Sequence, residues 1–256
     1  MELNDSVKAY ISNTPNQTKA SLSVGKAFPD TAGTLGGFLQ CPQTRKIYLI
    51  SCAHVLGMEA GTKVFNPGPY EGKKTKKIGN VRLSILPNLD GETCNPRKYS
   101  QYNPYSDYGL DVAVAELNAD DYSLRTSHPS NSVEHVRMIS SMSLHDKVLF
   151  HGKVSGKTEA KIRYLCLWDE ILIDDEPYCF RDIFVLSSRQ PQYLNTALCS
   201  PGDSGSWVIS DFEDLLSWDG MLFAGDGSHA YCCFAEYILE ACKTSDYFRY
   251  GLSLVT

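Results

Sequence analysis

The chain has 256 residues and a formal net charge of −6, with 43% hydrophobic and 21% charged residues. That length and composition can fill the core of a single all-β domain without disulfide staples or a structural metal. The acidic balance argues against the basic footprint of a nucleic-acid scaffold, and no run reaches the roughly 18 apolar residues of a membrane helix, so neither nucleic acid nor membrane is expected as a partner.

In chain order, Asn4-Asp5-Ser6 can cap a short helix through Ile11. The stretch before it, Met1-Glu2-Leu3, has neither a basic nor an apolar leader character, and no export signal is expected. Short β-branched and aromatic runs then recur, separated by Gly, Pro, Asn and Asp: residues 46–51, 112–115, 147–150, 161–167, 182–186, 207–209 and 221–224. Many short strands with turn chemistry between them predict a sandwich or barrel. Lys73 to Lys77 reads as an exposed turn, and residues 118–133, rich in Ser, Asn and Asp, as a linker. Residues 87–109 and the acidic stretch 168–176 read as surface excursions, or as loops facing a substrate or partner. Phe234 to Cys242 carries apolar residues at helical spacing and predicts a terminal helix.

The nine cysteines (41, 52, 94, 166, 179, 199, 232, 233 and 242) form no framework and no Cys-x-x-Cys ligand pair. They are therefore expected to be reduced thiols of a cytoplasmic protein, with no metal site and no cofactor.

Three segments carry chemistry. Ser51-Cys52-Ala53-His54-Val55 follows a strand, Leu110-Asp111-Val112 begins one, and Ser200-Pro201-Gly202-Asp203-Ser204-Gly205 opens another. A serine hydroxyl needs a base to take its proton, and its attack needs donors for the oxyanion that forms. Gly202 lets the backbone turn so that its own N–H and that of Ser204 face one point. Asp203 is expected to point away and hold the turn, and Gly205 to leave room for substrate. His54 supplies a base of near-neutral pKa, and Asp111 a carboxylate to orient it.

In this order, His54, Asp111 and Ser204 resemble the trypsin-like (chymotrypsin-fold) serine peptidases, whose triad has these roles. Weaker likenesses are Thr34-Leu35-Gly36-Gly37-Phe38 to the first barrel strand, residues 152–158 to the start of the second barrel, and Met221 to Asp226 to the strand beside the primary pocket. The resemblance implies an all-β fold of two six-stranded antiparallel barrels with a C-terminal helix. Its parts would be an extension (1–33), an N-terminal barrel (34–125) and a C-terminal barrel with the helix (126–256). It implies an endopeptidase acting on proteins or peptides, with Gly202 and Ser204 as the oxyanion hole and Leu198, Cys199, Gly225, Asp226 and Gly227 around the substrate pocket. A leucine at position 198 favours an apolar or small residue before the scissile bond. If the Asp226 carboxylate turned inward, a basic residue would be favoured instead.

The chain lacks the disulfides and the Arg-Ile-Val-Gly-Gly activation sequence of secreted members, and Val55 and Ser206 replace their usual Cys and Gly. The closer likeness is to bacterial and intracellular members, which implies an activating protein partner or attached regulatory system. The competing readings are a catalytically silent module that binds peptides or partner proteins, and a non-peptide esterase. The β-rich pattern and the missing Gly-x-Ser-x-Gly elbow oppose the esterase.

Overall fold

The computed structural model describes residues 23–72, 74–87, 109–126, 128–188 and 197–255. The segment expected to form a helix from Asn4, and most of the stretch 87–109, lie outside these residues. The strands are β1 (Ser23–Val24), β2 (Gly33–Thr34), β3 (Gly37–Gln40), β4 (Ile47–Ser51), β5 (Lys63–Asn66), β6 (Lys76–Ile85), β7 (Val112–Leu117), β8 (His135–Val136), β9 (Lys147–Gly152), β10 (Gly156–Ile173), β11 (Glu176–Ser188), β12 (Trp207–Phe212), β13 (Leu215–Gly225), β14 (His229–Phe234) and β15 (Ser253–Leu254). The α-helices are α1 (Ala53–Leu56), α2 (Ser123–Thr126) and α3 (Ala235–Thr244).

The protein is mostly β. In the second half, β12-β9-β10-β11-β14-β13 pair in that order and β12 pairs back onto β13, which closes a six-stranded barrel; β8 adds to β13 in parallel. In the first half, six strands run β15-β3-β4-β7-β6-β5. Among the described residues its end strands, β15 and β5, do not pair with each other, so one closed ring and one six-stranded sheet stand where two barrels were expected.

The ring explains why its strands read as continuous apolar runs. Alternate residues of a strand point to opposite faces. Val148, Phe150, Val208, Leu222 and Cys232 fill the ring interior. Their neighbours Leu149, Trp207, Ile209, Met221, Phe223 and Cys233 join the core that also holds Phe38, Leu49, Val112 and Val114 of the first half. Both faces of these strands are therefore buried, one inside the ring and one against the other half. Trp207 and Trp218 stack in that shared core with centroids 4.2 Å apart.

Two loop expectations are corrected. Residues 168–176 are the end of a long hairpin, β10–β11, closed by Asp174-Asp175 with φ of 52° and 67°. Ile171, Ile173 and Tyr178 face inward, so the acidic residues are the outer half of a period-2 pattern. The lysine-rich turn is already strand from Lys76. The cysteine expectation is corrected too: Cys179 is disulfide-bonded. The other seven described cysteines are free thiols, six of them buried.

Candidate active site

β4 is buried along its whole length and delivers the chain to α1, a single helical turn. Ala53, Val55 and Leu56 are buried while the His54 side chain keeps 16% of its surface. Asp111, fully buried just before β7, faces this turn. Its Oδ1 accepts the N–H of Ala53 at 2.7 Å and of His54 at 3.2 Å, and its Oδ2 bonds His54 Nδ1. An ionised carboxylate only accepts, so Nδ1 carries the proton and the Nε2 lone pair of the neutral ring is left for another partner. Burial alone would lower the His54 pKa. The charge of Asp111 and its hydrogen bond outweigh that and raise it above the ordinary imidazole value.

The Ser204 turn is held from within. Asp203 is fully buried and points away from the surface. Its Oδ1 accepts the N–H groups of Val154 (2.8 Å) and Ser155 (3.0 Å), and its Oδ2 that of Ser200 (2.8 Å). The N–H of Asp203 reaches Ser200 O, that of Gly205 reaches Leu222 O, and that of Ser206 reaches Asp203 O. Among the described residues the N–H groups of Gly202 and Ser204 have no protein acceptor, and Gly202 sits at φ +103°. The Ser204 hydroxyl donates to the carbonyl of Phe223 at 3.1 Å. Gly205 is needed for a reason other than the one expected. A Cβ there would lie 2.1 Å from Ser51 Oγ and 2.2 Å from Thr34 O, so the glycine admits the protein's own neighbours rather than a substrate.

Two hydrogen-bonded bridges bring the histidine segment to the serine turn. Leu222 O accepts from Gly205 N at 2.8 Å and from the Cys52 thiol at 3.4 Å. Thr34 O accepts Ser51 Oγ at 2.7 Å, and Thr34 N donates to Ser204 O at 2.8 Å. Donor atoms of Cys52, His54 and Asp111 lie within 4.8 Å of one another. In that group His54 Nδ1 and both Asp111 oxygens are already engaged, with each other and with the N–H groups of Ala53 and His54, and burial pushes the Cys52 thiol pKa up.

The residues expected around the substrate pocket also come together. Leu198 and Cys199 are buried, the N–H of Leu198 donates to Gly227 O at 2.8 Å, and a Cβ on Gly225 would strike Cys199 Sγ at 2.2 Å. Asp226 is occupied by its own turn. Its Oδ1 accepts Ser228 N (2.9 Å), Ser228 Oγ (2.9 Å) and His229 N (2.7 Å), and its Oδ2 accepts Tyr231 OH (3.2 Å). Partial burial would raise its pKa, but these bonds hold it down at about 2. Sequence reasoning missed the bridging of Thr34 and Ser51 and the amides of Val154 and Ser155. Backbone donors leave no trace in side-chain chemistry.

No protein-family model and no curated protein matches the chain. Solved structures do. A Nocardiopsis protease superposes with a TM-score of 0.56 at 14% identity, over 92% of this chain and 97% of that one. Thermobifida fusca protease A gives 0.55 at 13%, over 93% and 97%. Cellulomonas bogoriensis chymotrypsin gives 0.51 at 15%, over 87% and 90%. With its closed six-stranded barrel, second sheet and few helices, the chain therefore has the chymotrypsin fold of these bacterial serine proteases.

Proposed function

We propose that the protein is a serine endopeptidase in which Ser204 is the nucleophile, His54 the general base and Asp111 the carboxylate that orients it. The observation that carries this reading is the turn at Ser204. It leaves two N–H groups without acceptors among the described residues beside a hydroxyl, and hydrogen bonds through Thr34 and Leu222 tie it to the segment whose His54 Nδ1 is held by a buried carboxylate.

A peptide carbonyl seated at the N–H groups of Gly202 and Ser204 is polarised by them. The Ser204 hydroxyl leaves the Phe223 carbonyl and gives its proton to His54 Nε2 as Oγ attacks the carbonyl carbon. The imidazolium, stabilised by Asp111, returns that proton to the leaving amine as the C–N bond breaks, which gives an acyl-serine. Water, deprotonated by His54, then attacks the ester, and Ser204 recovers its hydrogen. In this reading residues 34–125 and 126–256 supply the two halves of one peptidase unit, with β15 crossing back to complete the sheet of the first, which stands for the N-terminal barrel of the fold. Proteins or peptides are the substrates. Leu198 and the self-contained Asp226 turn favour an apolar or small residue before the scissile bond.

A fluorophosphonate probe tests the assignment. Wild-type protein should be labelled on Ser204 and should cleave a peptide library, and Ser204→Ala should do neither. A correctly folded wild type that is never labelled would support the silent peptide-binding module instead.

A further inference from the structure

Thr34 ends β2. In the fold it is 1% exposed and bonds the serine turn at both Gly202 and Ser204. Its N–H donates to Ser204 O at 2.8 Å. Its hydroxyl donates to Gly202 O at 2.9 Å and accepts the N–H of Lys153 at 2.9 Å. Its carbonyl accepts the hydroxyl of Ser51 at 2.7 Å, three residues before His54.

The polarity of these bonds is fixed. The Lys153 amide can only donate, so it occupies a lone pair of Thr34 Oγ1, and the single hydroxyl proton is directed to the Gly202 carbonyl. Thr34 thus grips the carbonyls of the two residues whose N–H groups lack acceptors among the described residues. Lys153 precedes Val154 and Ser155, which hold Asp203, so the same turn clamps the residue between them.

We infer that Thr34 is a positioning residue that sets the Gly202 and Ser204 amides for the developing oxyanion and registers the serine turn against the His54 segment. This rests on the peptidase reading. A small polar side chain from the first half thereby completes a device whose other parts lie in the second. The residue acts on a group that stabilises the transition state, so its loss should appear in kcat rather than KM.

The experiment compares Thr34→Val, which keeps the shape and removes the hydroxyl, with Thr34→Ser, which keeps the hydroxyl. Thermal unfolding confirms that each is folded. Removing a direct oxyanion donor costs about 10²–10³ in kcat. Thr34 acts one bond further out, so Thr34→Val should lose about 10- to 100-fold in kcat with KM changed less than about threefold. Thr34→Ser should recover most of the loss, and fluorophosphonate labelling rates should follow kcat. If Thr34→Val does not fold, Thr34→Ala, which leaves room for a water, is read in the same assay. A folded Thr34→Val with wild-type kcat, or a Thr34→Ser as impaired as Thr34→Val, would overturn the inference while leaving the peptidase reading intact. A wild type that takes up no probe would overturn both.

Discussion

At the scale of single residues, the pairing of His54 with Asp111 sets a pH dependence whose sign is fixed. The carboxylate favours the protonated imidazole, so the histidine pKa lies above the ordinary value of about 6.5. A general base works only when neutral. The acid limb of kcat/KM against pH should therefore have its midpoint above about 6.5. Asp111→Asn should move it down and lower kcat by about 10⁴-fold. A limb that stays in place in Asp111→Asn would show that another group titrates. The same pairing stabilises the folded state below about pH 6.5 and loses that contribution as pH rises through the raised value. A second residue-level outcome concerns Asp226. With its oxygens engaged by Ser228, His229 and Tyr231, fluorogenic substrates ending in Leu or Ala should be cut faster than those ending in Arg or Lys. Dominant cleavage after Arg or Lys, abolished by Asp226→Ala, would place the carboxylate in the pocket after all. The side chains proposed for catalysis stand out in the sequence because His, Asp and Ser each carry chemistry that few other residues can replace. Thr34 does not, because a threonine in a strand needs no special explanation until its partners, 168 and 119 positions away, are known.

At the scale of elements, the ring interior predicts where damage is greatest. Phe150 is fully buried there with Leu222 and Phe234, and the ring walls are hydrogen-bonded strands that cannot readily collapse inward. Phe150→Ala should cost about 3–5 kcal/mol in denaturant unfolding. A loss under 1 kcal/mol would mean that the ring can repack. Most of these strands could be read from their apolar runs. The β10–β11 hairpin could not be read to its tip. Its inward Ile171 and Ile173 flank an exposed Leu172 among five acidic side chains, which hides the alternation, and its turn is Asp-Asp where a glycine would have marked it. The one-turn helix carrying His54 is too short to show any periodicity.

At the scale of the whole molecule, the disulfide at Cys179 separates two expectations. A chain with only reduced thiols would be indifferent to dithiothreitol, whereas loss of a native bridge typically costs about 2–5 kcal/mol. Reductant should therefore lower the melting temperature, and peptide mapping without reductant should find Cys179 cross-linked and Cys52, Cys199, Cys232 and Cys233 alkylated after unfolding. A melting temperature indifferent to reductant would mean that the thiols are reduced. Because such bridges are uncommon in the cytosol, the cytoplasmic expectation loses the footing it had in the cysteine pattern. The strand β15 has a consequence in time as well as in space. It lies against β3 through residues 213 positions apart, so the first sheet cannot gain this strand until the 213 positions that follow Gln40 have emerged from the ribosome. Contacts of such sequence separation place folding at the slow end of the scale, milliseconds to seconds or longer, and the half that carries His54 is completed by a strand that follows the other half in the sequence.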